Sequence, residues 1–182
     1  MAVIKGAKIA KRILIIAVIL IVGILLYKLI TAGPAIQPTA NNIIKLRSAT
    51  NPLDKAKIVS STDNFIEKMG NDKLSEQWSK IINCVNEGCH DTKYFDFLIV
   101  LFTQYKDKIP QSDLLMNLLA VQRYWGTDEV VTFSKSMTFV DEEIEKSHSQ
   151  SLEKKWAEII ECNNQCADKN SLFLSLIQLI IS

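Results

Sequence analysis

Nowhere does the sequence alternate apolar and polar residues over the length of a strand, so a β-sheet is not expected and helices must carry the fold. Histidine is scarce: His90 and His148 are the only two, and neither stands in a ligand-spaced or triad-like pattern. No motif of catalysis, phosphate binding or calcium binding is legible, and the acidic cluster Asp141, Glu142, Glu143 and Glu145 lacks calcium-loop spacing. No catalytic residue, metal site or cofactor is therefore assigned, and binding rather than catalysis is the expected role.

Charge is missing in one place above all. Ile13–Tyr27, "ILIIAVILIVGILLY", has none, and continuing to Ala32 gives 20 residues with Lys28 alone near the end. About 20 apolar residues cross about 30 Å of hydrocarbon as a helix, and a run apolar on every face needs lipid or protein all around it. Residues 13–32 are thus expected to enter the lipid bilayer as a single transmembrane signal anchor. The segment also resembles a cleaved signal peptide, but its apolar core is long and "LITAGPA" offers a poor cleavage site, which favours a retained anchor.

Lys5, Lys8, Lys11 and Arg12 precede the span with no acid among them, and after Lys28 the chain is uncharged to Lys45. That asymmetry places residues 1–12 in the cytoplasm and the C-terminal domain outside it, as a single-pass protein of the cell membrane. With the five basic residues of the first 32 set aside, 16 basic residues face 20 acidic ones, a balance of about −4. Nucleic acid is not an expected partner of such a domain.

Residues 33–51, with Pro, Gly, Thr and Asn in a weak apolar pattern, read as a juxtamembrane linker. Asn51 and Pro52 then have the form of a cap and first-turn proline, opening a helix to about Met69. Leu74, Trp78, Ile81, Ile82 and Val85 form one apolar stripe from about Asp72. Asp91 is placed to cap a third helix carrying Phe95, Leu98, Ile99 and Phe102. A fourth follows Pro110 and Ser112 and stops at Gly126. The fifth has Thr127 as its cap and Val130, Phe133, Met137, Val140 and Ile144 as its buried face.

An internal duplication emerges from these elements. A shift of 78 residues pairs Asp63, Trp78 and Cys84 with Asp141, Trp156 and Cys162, among nine identities in 22 positions. Dropping one residue then pairs Cys89 with Cys166 and Asp91 with Asp168. The expected fold is all-α: an N-terminal transmembrane helix followed by about seven helices in a bundle or short solenoid. Repeat 1 spans residues 52–126 and repeat 2 spans residues 127–182, one helix shorter. Helical solenoids are a loose architectural likeness, but their consensus patterns are absent.

The cysteines recur at matching helix corners. Along a helix, Cα atoms four residues apart are about 6 Å distant and five apart about 8 to 9 Å, whereas disulfides need roughly 4.4 to 6.8 Å. Cys162 and Cys166 are compatible with a last helical turn, while Cys84 and Cys89 require a break, which Asn86 and Gly88 supply. Two local disulfides, Cys84 with Cys89 and Cys162 with Cys166, fit an exported domain. The competing arrangements are a four-cysteine zinc site, a dithiol redox pair and buried free thiols.

Trp78 and Trp156 are expected as core anchors. The final helix, "SLFLSLIQLIIS", has more apolar positions than one stripe requires. Either it folds back to close a bundle, or Leu174, Ile177 and Ile181 form a docking face for a protein partner or a second copy. The resulting expectation is a membrane-tethered, extracytoplasmic protein-binding or scaffold module. The alternatives are a cell-envelope enzyme with a polar pocket between the repeats and the four-cysteine zinc domain.

Overall fold

A computed structural model of the chain describes residues 36–162 and 168–182. Among them are eight α-helices and one short 3-10 helix, and no strand. The helices are α1 (Ile36–Ser48), α2 (Pro52–Met69), α3 (Asp72–Ile82), α4 (Asp91–Gln104), α5 (Ser112–Tyr124), α6 (Val130–Ser147), α7 (Gln150–Cys162) and α8 (Lys169–Ile181). None of the described helices is long and apolar enough to cross a membrane. The segments 1–12 and 13–32, expected as cytoplasmic tail and span, lie outside the described residues.

Local chemistry accounts for several boundaries. Asn51 caps α2, its side-chain oxygen accepting from the Leu53 N–H at 2.9 Å, with Pro52 in the first turn. Asn71 does the same for α3 through Leu74 N–H at 3.1 Å. Helices α2 and α6 both end on a left-handed residue, Gly70 at φ 55° and His148 at φ 50°. These positions are 78 apart, so a histidine stands where the first half has the residue that adopts this conformation without strain.

Helices α1, α4, α5 and α8 form the centre, each packed on two neighbours: α1 on α4, α4 on α5, α5 on α8, and α8 back on α1. The pair α2–α3 flanks α1 and α4, and the pair α6–α7 flanks α5 and α8. Exchanging α1–α4 with α5–α8 leaves this set of packing partners unchanged. The burial pattern repeats as well. Thr39, Ala40, Ile43, Ile44 and Leu46 of α1 are buried, and so are Leu114, Leu115, Leu118, Leu119 and Val121 of α5, each 75 positions on.

Two expectations are corrected here. Residues 36–48 are not linker but helix α1, buried along Ile36, Ala40, Ile43 and Leu46. Prolines and asparagines weakened its pattern, yet Pro38 lies in the first turn, where no backbone donor is lost. The packing therefore groups residues 36–104 and 112–181, four helices each, in place of the division expected at residue 126.

The second correction follows from the first. Leu174, Ile177 and Ile181 are not a docking face, since their relative exposures are 3%, 0% and 3%. Helix α8 packs on α1, α5 and α7 together, and a helix enclosed on several sides is apolar on several sides. Leu179 is the large apolar residue of this helix that is left exposed, at 40%. On α6 the buried face is also narrower than expected, because Val140 and Ile144 are buried while Val130 is 65% exposed.

Candidate functional site: the joint, the corners and the groove

Four groups of side chains bear on function, and the first lies where the central helices meet. Arg47, near the end of α1, donates from Nε to Asp91 Oδ1 at 2.6 Å and from Nη2 to Asp91 Oδ2 at 3.0 Å. The same Nη2 reaches Asp168 Oδ1 at 2.8 Å, and Nη1 reaches Ser171 Oγ at 3.3 Å. Asn170 donates to Asp91 at 3.0 Å and accepts from Gln122 of α5 at 3.1 Å. One guanidinium thus joins the starts of α4 and α8, and an amide chain extends the join to α5. Two-point binding of a carboxylate is the geometry for which arginine is suited.

The hydrogen bond from Arg47 holds the Asp91 carboxyl below its usual range, against the opposing effect of partial burial and with help from Asn170. Asp91 was expected as a cap. It is the first residue of α4 instead, with His90 at the cap position making no side-chain capping bond. Asp168 does cap its helix, accepting from the Ser171 N–H at 3.0 Å. Arg47, Gln122, Asn170 and Ser171 were not picked out by sequence reasoning. The available signal was the matched pair Asp91 and Asp168 together with an arginine in a stretch otherwise poor in charge.

A cleft of about 310 Å³ opens beside this joint, with Lys55 and Tyr94 on its wall. Its charged groups are engaged: Asp91 accepts from Arg47, and Lys55 Nζ donates to the Val85 carbonyl at 3.3 Å. The joint is built to hold helices together.

The second group is the cysteine corner. Helix α3 stops at Ile82, the chain turns through residues 83–87, and Gly88 takes φ 94°. That break brings Cys84 and Cys89 to a Cα separation of 5.0 Å, and they form a disulfide. Sulfurs bonded to each other do not act as thiolate ligands, so Cys84 and Cys89 as paired here offer none to a zinc ion. Cys162 is disulfide-bonded, and Cys166 lies outside the described residues. No group of three or more potential ligands among the described residues is placed to hold a metal ion.

Third are the two tryptophans, both buried, at 5% and 4% exposure. Each donates its indole N–H to an aspartate 15 residues earlier on the preceding helix: Trp78 to Asp63 at 2.5 Å, and Trp156 to Asp141 at 2.8 Å. A buried indole requires such a partner, and the two Asp–Trp pairs were among the positions matched by the 78-residue shift.

The fourth group is an open groove of about 420 Å³ between α6 and α7. Ile144, Trp156 and Ile160 line it, and Ile160 is 37% exposed. His90 and His148 are both exposed; His90 borders the joint beside Asp91, and His148 lies in none of these groups.

Comparison of the chain with protein families, with curated proteins and with solved structures finds no match in any of the three. What is defined is a class by architecture: an all-helical domain of two similarly packed four-helix sets.

Proposed function

We propose that this protein is a membrane-tethered, extracytoplasmic scaffold that works by binding another protein, with residues 13–32 as its anchor and two copies of a four-helix unit as its body. The reading rests on one observation, the open groove between α6 and α7. There Ile160, 37% exposed, and the buried Trp156 line a concave surface, whereas the other exposed large apolar side chains, Leu53, Val130, Val131 and Leu179, do not line it. Accessible apolar surface in a concave site is what protein contacts use. The Cys84–Cys89 disulfide supports an oxidising compartment, and the basic residues before Ile13 support a cytoplasmic N-terminus. The pairing of Arg47 with Asp91 and the bond from Lys55 to the Val85 carbonyl favour a structural use of the polar cleft over an enzymatic one.

The test is site-specific photo-cross-linking in intact cells, with the probe at Ala157 in the groove or at Ser79, its equivalent on α3. Both positions are exposed. A protein adduct from position 157 and none from 79 is expected; equal adducts, or none, remove the groove as the contact site.

A further inference from the structure

The groove between α6 and α7 carries a second property besides its apolar floor. Its rim is acidic on both sides: Asp141 and Glu145 from α6, Glu153 and Glu161 from α7. The spacing explains the alignment. Asp141 and Glu145 are four apart, and Glu153, Ala157 and Glu161 follow at intervals of four, so each set lies along one helix face. Ala157, between the two glutamates, keeps the wall low. Among the described residues, no lysine or arginine lines the groove.

Of the cations nearest in sequence, Lys154 is exposed and forms no ion pair among the described residues, and the other two are engaged elsewhere. Lys146 pairs with Glu143 at 3.0 Å and Glu142 at 3.6 Å, and Lys155 pairs with Glu158 at 2.5 Å. Glu145, Glu153 and Glu161 form no ion pair among the described residues. Asp141 serves Trp156 through one oxygen.

The other half of the molecule acts as an internal control. On α2 and α3 the equivalents of Asp141, Glu145 and Trp156 are Asp63, Glu67 and Trp78, whereas Glu153 and Glu161 are replaced by Ser75 and Asn83. The helix pair and its tryptophan therefore pack without the two extra carboxylates. Their charge is not required by the fold, and like charges around one groove repel unless something cationic enters. A metal ion does not fit, since no such cluster among the described residues is close enough to coordinate one.

The geometry points to a basic amphipathic helix of a partner protein as the occupant, its apolar stripe on Ile144, Trp156 and Ile160 and its lysines or arginines against Glu145, Glu153 and Glu161. This assignment rests on the groove being a protein contact site, as proposed above, and adds the chemistry of the partner. The apolar floor supplies affinity, while the exposed carboxylates supply orientation and on-rate, so binding should weaken with salt.

The test uses the full chain in nanodiscs of zwitterionic lipid, with empty nanodiscs as the control for lipid binding. The probes are two fluorescent 18-residue helical peptides with the same leucine stripe, one flanked by lysines and one by glutamines. The expected result is saturable binding of the lysine peptide, weakened about tenfold or more by the double change Glu153→Ser with Glu161→Asn and by raising salt. That variant installs the residues of the first half at exposed positions, and an unchanged helical circular dichroism spectrum verifies its fold. Equal binding of both peptides, indifferent to the variant, overturns the basic-partner assignment while leaving the groove as a contact site. Binding of neither peptide overturns the assignment; the groove reading is then decided by the cross-linking comparison of positions 157 and 79.

Discussion

The two halves of the domain have the same helices in the same packing relationships but differ in what they expose and what they contribute to the joint. The first half contributes a cation, Arg47, where the position 75 residues on is Gln122. It closes its second helix with Gly70 where the other half has His148, and it leaves Ser75 and Asn83 where the other half has Glu153 and Glu161. Residues shared by both halves, such as the Asp–Trp pairs, maintain the helix hairpins. The core residues of α1 and α5 also differ, from Thr39 and Leu114 to Leu46 and Val121, yet stay buried in both halves. The polar differences, at the joint and on the surface, are the ones that set the two halves apart in what they can bind.

The largest expected effect comes from the centre, where both halves must close on each other. Ile177→Ala removes most of a fully buried side chain from α8 and should cost about 2 to 5 kcal/mol, read by urea denaturation. A change within 0.5 kcal/mol would mean that α8 is not enclosed and that the two sets do not share a core.

An intermediate effect is expected at the joint, and it should be unequal. Asp91 takes two bonds from Arg47 and one from Asn170 and is 26% exposed; Asp168 takes one from Arg47 and is 52% exposed. Asp91→Asn should therefore destabilise by about 1 to 3 kcal/mol, and Asp168→Asn by less. Because the folded Asp91 carboxyl titrates below its unfolded value, the unfolded chain takes up the proton first as pH falls. Its contribution is full above the unfolded pKa of about 4 and is lost as pH drops through the lower folded value. Thermal melts between pH 6 and pH 2 should show a shallower acid slope for Asp91→Asn; an unchanged slope would separate Asp91 from the joint.

The smallest effect concerns the matched helix ends. Replacing a left-handed histidine by glycine, His148→Gly, should stabilise by about 0.5 to 1 kcal/mol, and Gly70→Ala should destabilise by about the same or more. If both changes destabilise, the exposed His148 side chain makes a contribution that backbone strain does not describe.

How far the sequence was legible varies element by element. Helices α2 and α3 start at asparagine caps, α2 stops at Gly70, and α4 and α5 start within a residue of Asp91 and Ser112, because those signals act within a few residues. The Cys84–Cys89 bond was readable because the spacing and Gly88 together left one short route. Helix α1 was not readable, since Thr39 and Ala40 on its buried face count weakly in any hydropathy pattern and acquire their role only under α4 and α8. For α8 the sequence left open whether it closes the bundle or docks a partner, because part of its cover is supplied by a segment more than 120 residues earlier.

By itself, then, the sequence determined the helical class, most helix boundaries, the recurrence of Asp63 and Trp78 as Asp141 and Trp156, and one disulfide corner. Periodicity, capping and short loop closure are local forces, written within a turn or two of chain. Tertiary structure alone decided that residues 36–48 belong to the body, that the two sets close on each other through α1 and α8, and that Arg47 is shared by Asp91 and Asp168. Those contacts join residues 44 and 121 positions apart, and no local pattern specifies which distant partner completes a buried face or neutralises a charge. Packing the whole chain at once does.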